Sequence, residues 1–552
     1  MNRKAFLSLL SPESVRREAG TVKLLSGLDP YAGTWDTPQI AHLLRRTGFG
    51  AKKSDIELLR PMTPAQAVDY ILNIPSTPPN PPVNNYNNGT LTDPNIPFGQ
   101  TWVNEPLSVG FDPNIQSARM DSLRSWWIGL MLNDGPHIRE KMTLFWHNHF
   151  ATEANVVGVS QGLYNHYAML RANCLGNFKT LTKLVTVDAA MLRYLNGYLN
   201  SAAAPDENYG RELQELFTVG KGPDSHYTED DVKEAAKILT GYRINYLNLG
   251  YYFDQTQHNT TNKQFSAFYN NTVIQGRTGQ NGQLELDDLL TMIMATDECA
   301  KHICRALYRF FVYYKIDAAV ETNVIEPLAD IFRSSGYQVL PTVDALFKSQ
   351  HFFDTLSLGC VIKNPLDYTV GVCREFNVPI PGSAQLASQY KHWGLIYSYA
   401  SLMNMNIGDP PVVSGWPAYY QQPMYHEIWI DSDTIAKRVS FADALFSSGL
   451  TGGGATLLAD PLPFVSALPD PNDPNALIND SVKYLYGIDI GPNSFADLKS
   501  FLLSGQSQDY YWTDAWVAYT QDPGDPTNLN IVQTRLKALY KSMLQQAEYH
   551  LS

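Results

Sequence analysis

Two short blocks of this chain hold the side chains best suited to chemistry. The first contains His147 and His149, separated by one residue and preceded by an aromatic, apolar run. The second lies further along the chain and contains Glu212 and Glu215. Imidazole nitrogens and carboxylate oxygens are the common protein ligands of Zn, Fe and Mn. The four side chains are therefore the richest candidate ligand set in the sequence, and the expected cofactor is one of these divalent transition metals.

The use of the two histidines depends on the local backbone. In an extended segment, residues two apart point the same way and can chelate one metal ion, whereas in a helix they diverge by about 200°. The apolar residues upstream are spaced as the buried face of a helix that must end soon after Phe150. Two interpretations stay open: His147 and His149 bind metal or act in catalysis, or they form hydrogen bonds in an aromatic core beside Trp146 and Phe150.

Glu212 and Glu215 are three residues apart and share one face of the predicted helix. Arg211 is adjacent in sequence but turned by about 100°. We expect His147, His149 and Glu212 to be metal ligands, with Glu215 as a general base or fourth ligand and Arg211 as a further catalytic residue. The alternative is a buried Arg–Glu network that joins helices, which also requires charged residues inside an apolar run.

Other motifs favour structural roles. Thr228 and Asp231 have the spacing of a capping box at a helix start. Trp416 lies in a proline-rich turn, where packing is favoured over the lining of a pocket. The sequence has no Gly-x-Ser-x-Gly elbow, no phosphate-binding loop and no His-Glu-x-x-His motif. The reaction is therefore not indicated by any familiar catalytic signature.

The composition is that of a globular protein. The 552 residues are 44% hydrophobic and 17% charged, and the formal net charge of -13 argues against a nucleic-acid partner. Five cysteines are too few for a disulfide framework, so we expect buried free thiols. No apolar run is long enough to span a membrane. The short basic N-terminus has no secretory cleavage site, which favours a chain made without a cleaved signal and located in the cytoplasm.

The pattern of apolar residues predicts a mainly α protein. Helical periodicity dominates, without a fixed repeat, and connections between helices are short. We expect an N-terminal extension over residues 1–35, followed by one large multi-helical domain over 36–552. Long loop insertions rich in Pro, Asn and Gly are predicted near 75–115 and 452–482. A small antiparallel β element is predicted near 242–283, where aromatic residues alternate with polar ones.

Seven blocks, in this order and spacing, resemble a large bacterial family known as domain of unknown function 1800. They are His42–Gly50, Lys141–Phe150, Asn208–Gly220, Tyr227–Val232, Ala236–Tyr242, Ile362–Pro365 and Pro410–Pro417. The resemblance covers nearly the whole chain and implies no reaction. Members are often exported and often encoded beside sulfatase-like proteins, so the resemblance implies a sulfatase-like partner. Members tend to have an acidic residue after the histidine at position 258, and Asn259 here weakens a ligand role for that block.

The sequence supports two functions from different classes. The leading hypothesis is a metal-dependent, hydrolase-like enzyme in which a bound cation polarises a substrate oxygen or activates water. The alternative is a non-catalytic structural or assembly protein, in which the same histidines and carboxylates join helices in the core and the aromatic, Asn-rich loops bind a partner.

Overall fold

The computed structural model describes residues 27–105, 112–452 and 455–552 of the chain. The short basic N-terminus lies outside these residues. The protein is 57% helical and only 5% strand, which confirms the mainly α prediction. Among the described helices, none combines the length and the apolar character needed to cross a bilayer.

The α-helices are connected mostly by short turns and single 3-10 turns. Their bounds are Thr37–Thr47, Lys53–Leu59, Pro64–Leu72, Pro113–Asn133, Arg139–His149, Ala154–Val157, Ser160–Ala172, Phe178–Thr186, Ala189–Tyr194, Glu207–Glu212, Glu229–Ile238, Leu284–Met294, Asp297–Phe311, Ala318–Val320, Glu326–Ser334, Val339–Phe347, Pro365–Glu375, Leu386–Leu402, Ser432–Phe446, Leu462–Ser466, Pro474–Leu485, Pro492–Leu502, Tyr510–Gln521 and Pro526–Gln545. Two π-helical segments, Leu213–Thr218 and Glu321–Ile325, continue the short helices that precede them.

In the part of the chain that the structure describes, the strands form three separate two-stranded antiparallel sheets. Their bounds are Tyr242–Asn245 with Gly250–Phe253, Lys263–Gln264 with Val273–Ile274, and Leu450–Gly452 with Ala455–Leu457. The first two sheets lie in the interval 242–283, where the alternating aromatic pattern predicted a β element. In the first, Tyr242 is opposite Phe253, and their rings meet edge to face.

Helix starts follow the capping residues seen in the sequence. The side chain of Thr228 accepts the N–H of Asp231, and the Asp231 carboxylate accepts the N–H of Thr228 at 2.7 Å. This reciprocal pair satisfies two of the free N–H groups at a helix start and confirms the predicted capping box.

The interval 452–482 departs from the predicted loop. It contains the helix Leu462–Ser466 and most of Pro474–Leu485. The Asp473 carboxylate accepts the N–H of Asn475 at 2.8 Å, and proline is well suited to the first helical position because its missing N–H would be unpaired there. The proline and aspartate that suggested a loop therefore mark the start of a helix. The interval 75–115 contains no helix before Pro113 in the part that the structure describes.

One contiguous apolar core joins the helices. The helix Arg139–His149, here called the histidine helix, lies inside it and is buried over all residues from Arg139 to Asn148, polar ones included. It packs against the helix Ser160–Ala172, and the longest core helix, Pro113–Asn133, packs against Leu386–Leu402. The four cysteines other than Cys360 are buried, and all five are free thiols, as the sequence predicted.

A buried charged network fastens the β region to the helix that follows it. Both oxygens of the Glu285 carboxylate are used: one accepts from Lys263 Nζ at 2.5 Å, the other from His258 Nε2 at 3.1 Å and from the N–H of Arg277 at 2.6 Å. The side chains of Lys263 and Glu285 are fully buried. His258 therefore has a structural partner.

Replacement of Lys263 tests this network. Lys263→Met should lower the free energy of unfolding by about 3–5 kcal/mol, because Glu285 is left as a buried charge without its main cationic partner. Urea denaturation measures the change, and the matched control is Lys233→Met, which removes an exposed lysine and should have little effect. The double variant with Glu285→Gln should recover much of the loss, and no recovery would contradict an electrostatic origin.

Candidate functional site

His147 and His149 lie in the last turn of the histidine helix, so their imidazoles face different directions. Each ring uses its Nε2 on a main-chain group. His147 accepts the N–H of Gly408 at 3.0 Å, and His149 donates to the carbonyl of Phe217 at 3.0 Å. Within the described ranges, no group of three or more His, Cys, Asp or Glu side chains is arranged to hold a metal ion. The metal site of His147, His149 and Glu212 stays a prediction.

His149 lies in an aromatic environment. Its ring stacks on Phe145 at 6.1 Å between centroids and lies 6.2 Å from the ring of His302. Burial, together with the neighbouring His302, lowers the pKa of His149 to about 3. The ring is therefore neutral at physiological pH. Its contacts match the alternative in which the histidine forms a hydrogen bond within an aromatic core.

The predicted carboxylate pair lies on a helix of mixed geometry. Glu212 ends the α-helix Glu207–Glu212, and Glu215 lies in the π-helical segment that follows. Glu215 forms an ion pair with Lys221 and accepts a hydrogen bond from Tyr227 Oη at 3.4 Å. Glu212 has no hydrogen bond or ion pair with any described residue. Burial, and then the charge of Glu215, raise the pKa of Glu212.

Arg211 belongs to a network on the protein surface. Its side chain is 32% exposed and donates to both oxygens of Glu229, at 2.7 and 2.6 Å, and to Glu207 at 3.2 Å. These bonds join the helices Glu207–Glu212 and Glu229–Ile238. The Arg–Glu network of the alternative interpretation therefore exists, but it is exposed, where ion pairs contribute little to stability.

The two predicted blocks are neighbours in the fold. The contact runs through the His149–Phe217 hydrogen bond and through the rings of Phe150 and Phe217, whose centroids are 5.3 Å apart. In the described chain, neither histidine forms a hydrogen bond with Glu212 or Glu215. The blocks are thus brought together by aromatic packing and main-chain groups, without direct imidazole–carboxylate contact.

His147 faces a small cavity that contains a further imidazole. This His147 cavity is lined by Met120, Leu123, Arg124, Trp127, His147, Thr152, Leu163, His166, Tyr167 and Gly408. The Nε2 of His166 and the hydroxyl of Thr152 are buried there without a hydrogen-bond partner among the described residues. Burial lowers the pKa of His147 to about 3, and the adjacent His166 and Arg124 act in the same direction. His147 is therefore a neutral imidazole.

His166 is held by a carboxylate. Its Nδ1 donates to Asp188 Oδ2 at 3.0 Å, and the same oxygen accepts the N–H of Met191 at the start of the helix Ala189–Tyr194. The bond to Asp188 places the ring proton on Nδ1 and leaves the Nε2 lone pair free in the cavity. A carboxylate behind one ring nitrogen and a free lone pair at the other is the arrangement of a general base or of a metal ligand.

Sequence reasoning missed His166 and Asp188. His166 is a single histidine within an apolar helix, and Asp188 has the ordinary pattern of a helix N-cap. No spacing rule connects a histidine inside one helix with the cap of another, because their contact depends on how the helices pack. The only available signal was a polar residue at a position that helical periodicity assigns to the core.

The turn around Trp416 closes one side of this region. Gly415 adopts a φ of +83°, and a Cβ at this position would lie 2.3 Å from Oδ1 of Asn148. The same Asn148 oxygen accepts the N–H of Trp416 at 2.7 Å. Trp416 is buried, with its ring 5.6 Å from that of His147, which confirms the predicted packing role.

The Glu212→Gln variant tests the role of the carboxylate pair. Since the pKa of Glu212 is raised in the folded protein, the protonated carboxyl contributes stability at low pH that is lost as the pH rises through that pKa. We therefore expect the variant to be at least as stable as the wild type at pH 7, with the difference vanishing below about pH 4. Urea denaturation at both pH values, with and without a chelator, measures this. A wild type that a chelator destabilises, beside a variant that it leaves unchanged, would instead support Glu212 as a metal ligand.

Comparisons with known proteins place the chain in a family. The model of a family described as a protein of unknown function (DUF1800) matches residues 42–551, nearly the whole chain. A search of curated proteins finds no match, and a search of solved structures finds none either. The match extends from the first family-like block, at His42, to the end of the last helical turn. The chain therefore belongs to the DUF1800 family.

Proposed function

We propose that this protein is a hydrolase-like enzyme whose acid–base chemistry takes place in the His147 cavity, with His166 as the general base. One observation carries the proposal: the Nε2 of His166 is buried without a hydrogen-bond partner among the residues that the structure describes, and its other nitrogen is held by Asp188. A base must present a lone pair toward its substrate and be fixed in the correct tautomer, and this arrangement provides both.

Each polar group around the cavity can take one role. His166 removes a proton from water or from a substrate hydroxyl, and Asp188 stabilises the imidazolium that forms. His147 accepts the Gly408 N–H at Nε2, so its proton is on Nδ1, where the neutral ring can donate a hydrogen bond. Arg124 lines the same cavity and would stabilise negative charge that develops on an oxygen atom.

A metal ion remains part of the proposal. An imidazole with a carboxylate on its second nitrogen is also the usual outer-shell arrangement of a metal-bound histidine. A divalent Zn, Fe or Mn ion would supply an acidic water at neutral pH. In the His147 cavity the Nε2 of His166 is the nitrogen that could bind such an ion, because the lone pair of His147 Nε2 already accepts the Gly408 N–H and His149 faces Phe217 and His302 instead.

The alternative is a structural or assembly role. It is supported by the main-chain hydrogen bonds of His147 and His149 and by the aromatic rings that surround them. Under this alternative, one buried water joins His166 Nε2 to the Thr152 hydroxyl, as water does at many buried polar sites. The sulfatase-like partner and the absence of a nucleic-acid partner stay predictions.

Variants of His166 and Asp188 distinguish the two functions. A panel of p-nitrophenyl acyl, phosphate, sulfate and glycoside substrates should reveal an activity that falls about 10²–10⁴-fold in His166→Asn. Asp188→Asn should reduce kcat through loss of the correct tautomer while preserving the acceptor that caps the helix. The control His226→Asn changes an exposed histidine and should retain full activity.

Two outcomes would contradict the enzyme proposal. Full activity in well-folded His166→Asn would remove His166 from the mechanism. A lack of activity on every substrate, with loss of stability in both variants, would favour the structural alternative. Elemental analysis of each purified protein distinguishes the metal-dependent form of the proposal from the metal-free form. The metal-dependent form requires about one transition metal ion per chain in the wild type and a clear loss of metal in His166→Asn.

A further inference from the structure

A second cavity contains an excess of positive charge. Four cationic side chains line it: Arg45, Arg46, Lys141 and Arg309. Asp367 is the one carboxylate side chain among its lining residues. Even if a main-chain carboxylate at Ser552 is counted, positive charges exceed negative ones by two. This cationic cavity and the His147 cavity have one element in common, the histidine helix. Lys141 of this helix lines the first cavity, and His147 lines the second.

Two of the four cations have carboxylate neighbours. Lys141 forms an ion pair with Asp367. Arg45 donates to the carbonyls of Tyr484 and Tyr486, at 2.7 and 3.2 Å, and its Nε lies 3.8 Å from Glu375. The charges of Lys141 and Arg45 are therefore at least partly compensated within the protein.

Arg46 and Arg309 lack such compensation. Neither forms an ion pair with a carboxylate in the ranges that the structure describes, and the Nε of each is buried without a partner. Among the described residues, Arg46 donates to the carbonyl of Ser357 and the sulfur of Cys360, at 3.2 and 3.3 Å. Burial lowers the pKa of Arg309, as expected for a charge removed from water. The side chain of Arg46 is buried and that of Arg309 is partly buried, and a charge removed from water without a counter-charge is costly, so these two guanidinium groups favour a bound anion.

A third donor in the cavity is also unmatched. His426 accepts the N–H of Ile362 at its Nδ1, at 3.0 Å, which places the proton of the neutral ring on Nε2. Burial and the charge of Arg46 lower the pKa of His426 to about 3, so the ring is neutral. Its Nε2–H is buried and finds no acceptor among the described residues. Such an orphaned donor costs free energy unless a ligand or water accepts from it.

We infer that the cationic cavity binds a compact tetrahedral oxyanion, phosphate or sulfate, either free or as the end group of an ester, with Arg46, Arg309 and His426 as its donors. The three unmatched groups are all N–H donors, and they come from three separate parts of the fold. They lie on the helix Thr37–Thr47, the helix Asp297–Phe311 and the turn Tyr425–Trp429. An oxyanion with three or four oxygens can accept from donors in three directions and also neutralise charge, whereas water supplies acceptors without charge.

The walls of the cavity suit an ester as well as a free ion. Phe310, Tyr314, Tyr419 and Trp429 line it beside the cations. Aromatic side chains of this kind commonly contact the non-ionic part of a ligand, while a few placed polar groups determine its orientation. The inference does not rest on the proposed enzyme function, since none of the three donors lies in the His147 cavity.

Binding of inorganic phosphate to the full chain tests the inference. Isothermal titration and the thermal midpoint are measured against sodium phosphate, with sodium chloride at matched ionic strength as reference. The wild type should bind phosphate saturably, and Arg309→Gln should weaken the Kd at least tenfold. Arg309→Gln should also raise the midpoint in phosphate-free buffer, because it removes an uncompensated buried charge without breaking any hydrogen bond in the described chain.

Matched variants keep the test specific. Arg333→Gln removes an arginine that is paired with Asp330 and Asp297 outside the cavity, and should bind like the wild type. His426→Asn should weaken binding less than Arg309→Gln, because it removes a neutral donor. If Arg46→Gln does not fold, Arg309→Gln and His426→Asn carry the test.

Further titrations identify the form of the ligand. Sulfate should compete with phosphate, and tighter binding of a sugar monophosphate than of phosphate would assign the site to an ester. The inference is overturned if phosphate stabilises no more than chloride at equal ionic strength. It is also overturned if Arg309→Gln and His426→Asn both bind phosphate with the wild-type Kd.

Discussion

The structure depends on one constraint, the burial of the polar histidine helix on all sides. A helix that carries charges and amides into the core must find a partner there for each of them, because unsatisfied groups in the interior are costly. The surrounding elements supply these partners. Glu140 accepts hydrogen bonds from Trp127, Tyr167 and Arg171, and Lys141 forms an ion pair with Asp367. Near the end of the helix, His147 accepts the N–H of Gly408 and Asn148 accepts the N–H of Trp416. His149 donates to the carbonyl of Phe217.

The same helix positions both cavities. Lys141 lines the cationic cavity, and His147 lines the His147 cavity together with His166. Six residues of helix separate the two side chains by about 9 Å along the axis. Because hydrogen bonds and ion pairs to neighbouring elements hold the helix, it cannot shift without breaking several of these contacts. A rigid support of this kind is what a precisely positioned binding or catalytic group requires.

Local structure was largely predictable from the sequence, and side-chain pairing was not. Capping residues such as Thr228 act on their own helix, so their effect can be read from adjacent residues. The loop predicted near 452–482 is wrong around Pro474, because proline and aspartate occur in loops and also begin helices. His147 was identified as a candidate, but its neighbour His166 depends on the packing of two helices. Likewise, Arg46, Arg309 and His426 meet only because three distant segments converge.

The two cavities differ in what a water molecule can do for them. In the His147 cavity the unmatched atoms are the Nε2 of His166 and the hydroxyl of Thr152, and one water with several hydrogen bonds satisfies both. In the cationic cavity, water satisfies the donors but leaves the charges of Arg46 and Arg309 uncompensated in a medium of low dielectric constant. A bound anion both accepts hydrogen bonds from these donors and neutralises the two charges. The charge of a ligand is therefore the first requirement for binding in the cationic cavity, and its shape is the second.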